Sequence, residues 1–368
     1  MTGATQRAEV RTWSGIAWSP AERQLWHGVG VMTTVGVLFF AIQVLERAVL
    51  RLPPDRQLVG NVSATAMRYW ALPHVIIGFL FLVTARANRS AGRQLRIWSF
   101  VLLAAALCAL YGLLGGAPIP GTCASNPTLL GLGLAGLTYL LFLVHELRDE
   151  TFIFVSTQGL PNDVSPKAFG AVMSRVTALV VIGTAVVMWV WALLLAPPDR
   201  AVLSPVYSWP CGVRLAAAVL PAIAWLAGIV LTARSAKISG QPVDADLWRT
   251  LAPVFRLFAV VLIVLTVALV IVKTIYPLIL LHVSVWYAFI CHRLDRAPAR
   301  PGLGWWSWCR STATGFQVLY LGTTAVVLGL GLVWLHVFDG HGALSLIVSP
   351  AAFVYWTVAH IIVTSGVR

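Results

Sequence analysis

The chain has 368 residues, 59% hydrophobic and only 11% charged, with 26 Lys and Arg against 13 Asp and Glu. A soluble domain carries about a quarter charged residues, so a soluble enzyme is excluded and a polytopic membrane protein is expected. The net charge of +13 is not a nucleic-acid signature, because the arginines sit between apolar blocks, where they set topology and meet anionic lipid.

Residues 1–24 lack an apolar stretch and a cleavage site, which reads as a short inner segment with no removable signal peptide. Trp13 and Trp18 suit an interfacial, amphipathic placement. From there the apolar blocks, each of bilayer-spanning length, predict ten helices near 25–45, 67–86, 96–114, 127–145, 170–195, 213–233, 253–273, 275–292, 313–336 and 344–365. Residues 25–366 therefore form one all-α transmembrane bundle. The "KTIYP" stretch, Lys273 to Pro277, makes a tight hairpin of the seventh and eighth spans, and Pro277 suits the first turn of a new helix. With both termini inside, 19 of the 26 Lys and Arg fall on the inner side and 7 on the outer. That total sets an N-in, C-in orientation in the plasma (inner) membrane, crossed many times. The loop 46–68, outer yet holding four arginines, and the inner, net acidic 146–168 run against it.

Two cysteines, Cys123 and Cys211, fall in outer loops and can pair as a disulfide if that side is oxidising; two unrelated thiols are the other reading. No C-x-x-C or zinc-type spacing occurs. Walker A, G-x-S-x-G, dinucleotide and clustered H-x-x-x-H signatures are absent as well. All thirteen acids fall in loops or at span ends in this reading. That weighs against proton-coupled carriers and intramembrane hydrolases, which keep a carboxylate deep in a span. "HELRDE", 145–150, reads as a solvated helix terminus, with cation binding by its His and three acids as the lesser alternative, and the tryptophans of "GLGWWSWCR", 302–310, as an aromatic belt at the interface.

Histidine is then the main buried ionisable residue. His74 lies about two turns into the second span and His282 at a similar depth in the eighth. His360 is placed deeper, in the inner half of the tenth. His27, His145 and His292 mark inner span ends, while His336 and His341 flank an outer loop. "YWALPHVI", from Tyr69, is echoed by "YWTVAHII", from Tyr355, and "FLVHELRD" by "FICHRLDR".

Trp70, His74 and Gly78 share one helix face, as do His282 and Trp286. Two imidazoles at one depth on two helices, with a glycine beside them, are what ligation of haem b or a transition metal requires. His74 and His282 are the first-choice ligands for haem or metal, as an outer site. His145 and His292 form an inner one, with His360 as a further candidate. A packed polar contact is the alternative for each.

The leading expectation is a redox-type protein binding haem b or a metal through these histidines. Two readings stay open beside it. One is a carrier or channel for a small or hydrophobic solute, suggested by Pro73, Pro221, Pro253 and Pro350 in or at the start of spans. The other is a non-catalytic subunit among other membrane subunits. The bilayer is the partner common to all three; nucleic acid is not expected.

Overall fold

The computed structural model describes residues 20–85, 88–114, 129–158, 166–195, 208–238, 263, 276–296 and 304–367. Among these there is no strand. The longer elements are α1 (Pro20–Val44), α2 (Val62–Thr84), α3 (Ala91–Leu113), α4 (Leu129–Gln158), α5 (Pro166–Val190), α6 (Cys211–Ile238), α7 (Tyr276–Arg296), α9 (Ala313–His336) and α11 (Pro350–Val367). Short helices α8 (Trp305–Ser311) and α10 (Ser345–Val348) lead into α9 and α11.

Among the described residues, seven helical stretches are long and apolar enough to cross a bilayer: 22–49, 62–84, 91–113, 169–194, 211–231, 276–296 and 313–336; Pro350–Thr364 is a shorter apolar helix. The protein is thus an all-helical integral membrane protein. The span expected at 253–273 lies outside the described residues except Ile263.

The bundle is built around α2 and α7, the two most buried spans. They pack on each other, α1 and α9 line both, and α11 closes against α2, α3 and α4. The α5–α6 pair joins through α4. Its helices are held by the Trp225 indole, which donates to the Leu179 carbonyl at 2.9 Å, and Trp189, which donates to the Ala217 carbonyl at 2.9 Å.

The outward faces carry Leu95, Leu102, Leu220, Leu231 and Val326, all exposed, whereas the interior carries His74, His145, His282, Glu146 and Ser284. Apolar outside and polar inside suits a lipid solvent, where only internal partners are available to polar groups.

Local chemistry sets the element ends. Asn61 caps α2 by accepting the Ala64 N–H at 3.0 Å, and Thr312 caps α9 through the Gly315 N–H at 3.0 Å. The buried Glu46 carboxylate accepts the Leu58 and Val59 N–H groups, both at 2.9 Å, tying the end of α1 to the approach to α2. Pro73 sits inside α2, where its missing N–H loosens the turn before it. On that turn the Trp70 carbonyl accepts the Tyr320 hydroxyl at 2.6 Å, which locks α9 to α2.

The charged run at 145–150 does not end its helix, which continues to Gln158. Glu146, Asp149 and Glu150 are buried, so the expected solvated terminus is corrected, and with it the rule that no acid lies inside the bundle. Glu, Leu and Arg are good helix formers, and the acids at 145 + 1, + 4 and + 5 fall on a face turned inward while Arg148 is exposed. The disulfide expected between Cys123 and Cys211 lies outside the described residues, since Cys123 does; Cys211 is exposed at the first residue of α6.

The α1–α7 crossing is closest at Gly28, where an added Cβ would lie 2.7 Å from the Val285 Cα and 2.9 Å from its N. Backbone cannot yield there. Gly28→Ala is expected to lower stability by about 1–3 kcal/mol, read by thermal unfolding in detergent. Gly30→Ala, which meets nothing within 4 Å, should not.

Candidate metal centre

Four helices each bring one histidine to the same place. His74 of α2 faces His282 of α7, with ring centroids 5.6 Å apart, and His360 of α11 at 4.9 Å. His145 of α4 completes the circuit, at 5.5 Å from His282 and 5.2 Å from His360. His74, His145 and His282 are buried; His360 is half-buried.

Packing holds the rings in place. The Trp286 indole lies edge-on to His74 at 4.3 Å, and Phe142 borders His282 at 5.8 Å. Gly78, one turn after His74, leaves room for the His360 ring, whose Cε1 would stand 3.7 Å from an added Cβ. The bulky flat group that this glycine admits is therefore another histidine.

His74 is buried without a hydrogen bond. Only 4% of it is exposed, and neither ring nitrogen has a hydrogen-bond partner. Buried polar atoms in native proteins are nearly always partnered, so His74 has capacity for at least one more interaction.

The carboxylates of α4 adjoin it. Asp149 Oδ2 lies 3.7 Å from His145 Nε2, one turn along the same helix. Ligand atoms from His145, Asp149 and His282 all lie within 4.8 Å of one another. Glu146, 1% exposed, has no hydrogen-bond partner on either carboxylate oxygen, and Glu150 is buried beside them.

This spacing is one that metal ligation and edge-to-face ring packing share. An imidazole nitrogen 2.0–2.1 Å from a metal puts its ring centre about 3 Å away, so neighbouring ligands have centroids about 4.5–5.2 Å apart. Two of the four contacts, 4.9 and 5.2 Å, fall in that range, and two, 5.5 and 5.6 Å, lie just beyond it. Two axial histidines of a haem would instead stand about 6 Å apart across a flat ring about 10 Å wide. Here the flanks of the His74–His282 pair are taken by His360 and His145.

The remaining candidates are dispersed. His292 lies on α7 ten residues beyond His282, about 15 Å along the helix, and is half-buried near Arg296 and His27; His145 joins His282 rather than His292. His27 is exposed, and His336 ends α9. Trp70 packs edge-on to Tyr287 at 5.3 Å and against Tyr320 at 4.8 Å. Its counterpart in the echo, Trp356, is exposed and donates to the Leu346 carbonyl at 3.1 Å. The echo thus unites the histidines but not the tryptophans. The sequence alone reads Glu146, Asp149 and Glu150 as a solvated helix end, with cation binding as the lesser alternative; their burial overturns the first.

Compared with protein-family models, curated proteins and solved structures, the chain has no match.

Because an alanine methyl at 78 meets only ordinary contact, Gly78→Ala should hold or raise stability by up to about 1 kcal/mol through helix propensity. Gly78→Leu, whose branch must enter the space of the His360 ring, should lower it. Thermal unfolding of the two variants checks both directions.

Proposed function

We propose that the protein is an intramembrane redox protein that holds one transition-metal ion on His74, His145, His282 and His360. The observation that carries this reading is the closed circuit of four imidazoles from four helices, with neither nitrogen of the buried His74 hydrogen-bonded. Imidazole suits copper, iron, zinc and nickel; the redox role narrows the choice to copper or iron.

Charge balance supports the same reading. Four neutral imidazoles leave a divalent cation uncompensated in a lipid-facing bundle, and buried uncompensated charge is costly. Glu146, Asp149 and Glu150 stand on the neighbouring turns of α4, where a bound cation would hold them ionised. Asp149 is placed to orient His145, as second partners of metal-bound histidines do.

A row of rings runs from the site: Trp286 touches Phe316 at 5.7 Å, Phe316 touches Tyr320 at 5.8 Å, and Tyr320 touches Trp70 at 4.8 Å. Such a row suits a centre that exchanges electrons. The ring spacing favours a bare ion over haem b. The Lys and Arg distribution supports a ten-span chain with both termini inside the plasma membrane.

Metal analysis of protein purified without chelators should find about one copper or iron per chain, with no Soret band in the optical spectrum. Alanine at any of the four positions should weaken metal binding about tenfold or more, while His27→Ala, His292→Ala and His341→Ala load normally. Metal-free protein that cannot be loaded, or ring variants that load like wild type, would sink the proposal.

Glu146→Gln separates the role of the acid. The variant should bind the ion about 10–100-fold more weakly while its metal-free stability changes by less than about 1 kcal/mol, because one unpartnered buried polar group replaces another. Equal affinity in both proteins would remove Glu146 from the account.

A further inference from the structure

A second polar feature lies at the end of the bundle where α2 and α11 begin. A cavity of about 290 Å³ opens there, lined by residues that include Arg68, Thr65, Met67, Trp334 and Phe353. Arg68 is only 7% exposed, and its Nε has no hydrogen-bond partner. Its guanidinium carbon stands 4.6 Å over the Tyr69 ring, which offsets part of the cost of burying it. No carboxylate pairs with it among the described residues. Glu46, the buried acid at this end, has both oxygens engaged by the Leu58 and Val59 N–H groups.

A buried guanidinium without a counter-ion is expensive, and its fork of donors matches the two oxygens of a carboxylate or phosphate. The other walls are mainly apolar, with Trp334 pinned by its 2.8 Å hydrogen bond to Ser345. A cationic floor under apolar walls selects an anionic head on an apolar tail.

We propose that this cavity binds an amphipathic anion, either a free organic acid or the headgroup of an anionic lipid, with Arg68 as its charge partner. Arg68 lies six residues before His74, about 9 Å along α2. The site does not depend on the metal reading, because neither its residues nor its test involves the four histidines.

The test is calorimetric titration of the full chain in phosphatidylcholine nanodiscs with octanoate, and with octanol as the uncharged control. Octanoate should bind saturably at one site, and octanol about tenfold or more weakly. Arg68→Gln should weaken octanoate by a similar factor. Ala64→Phe, which fills the cavity and keeps the arginine, should do the same, so the proposal stays testable if the arginine variant fails to fold. Repeating the titration in phosphatidylglycerol nanodiscs identifies the source: competition by the lipid marks a headgroup site, and unchanged binding marks a free acid, either of which satisfies the proposal. Equal binding of octanol and octanoate, no saturable octanoate binding, or full binding by either folded variant would overturn it.

Discussion

A polar group inside a bilayer-spanning bundle has no water to turn to, so its partners must come from the protein or from something the protein holds. That constraint shapes the centre of this molecule. Four imidazoles from α2, α4, α7 and α11 face one another, and three buried carboxylates stand on the adjoining turns of α4. Each group alone is a cost. Together they make a set of nitrogen donors with negative charge beside it, which is the environment a transition-metal cation needs.

The scaffold serves this arrangement through a few local devices. Pro73 loosens α2 one residue before His74, and the Tyr320 hydroxyl takes up the nearby Trp70 carbonyl. Gly28 lets α1 lie against the backbone of α7, and Gly78 makes room for His360. Aromatic rings fill the remaining space around His74, with Trp286 in direct contact. Packing of this kind holds ring positions more firmly than loops would, and metal sites gain affinity when their ligands are held in advance.

Much of the architecture was legible from the amino acids. The apolar blocks and sparse charge point to a helical membrane protein, and the matched depth of His74 and His282 anticipates their contact. The Tyr-Trp-x-x-x-His echo links His74 to His360, whose rings lie 4.9 Å apart. What stayed hidden depends on helix order, which hydropathy does not encode. His145 joins His282 rather than His292 because α4 continues past its charges to Gln158, so that His145 lies in mid-helix rather than at an end. The same continuation buries Glu146, Asp149 and Glu150. A hydropathy reading ends a span wherever charge appears, and here the charge faces inward. His74 and His360 meet because α2 starts at Val62 and α11 at Pro350, which puts both histidines near the middle of their helices.

X-ray absorption at the copper and iron edges of protein purified from its own membranes tests the central claim most directly. The account predicts a first shell of nitrogen donors at about 2.0–2.1 Å, with the outer scattering of imidazole rings, lost when His74 and His145 are both replaced by alanine. A spectrum with a porphyrin signature, a sulfur shell, or no metal bound to the folded protein would contradict it.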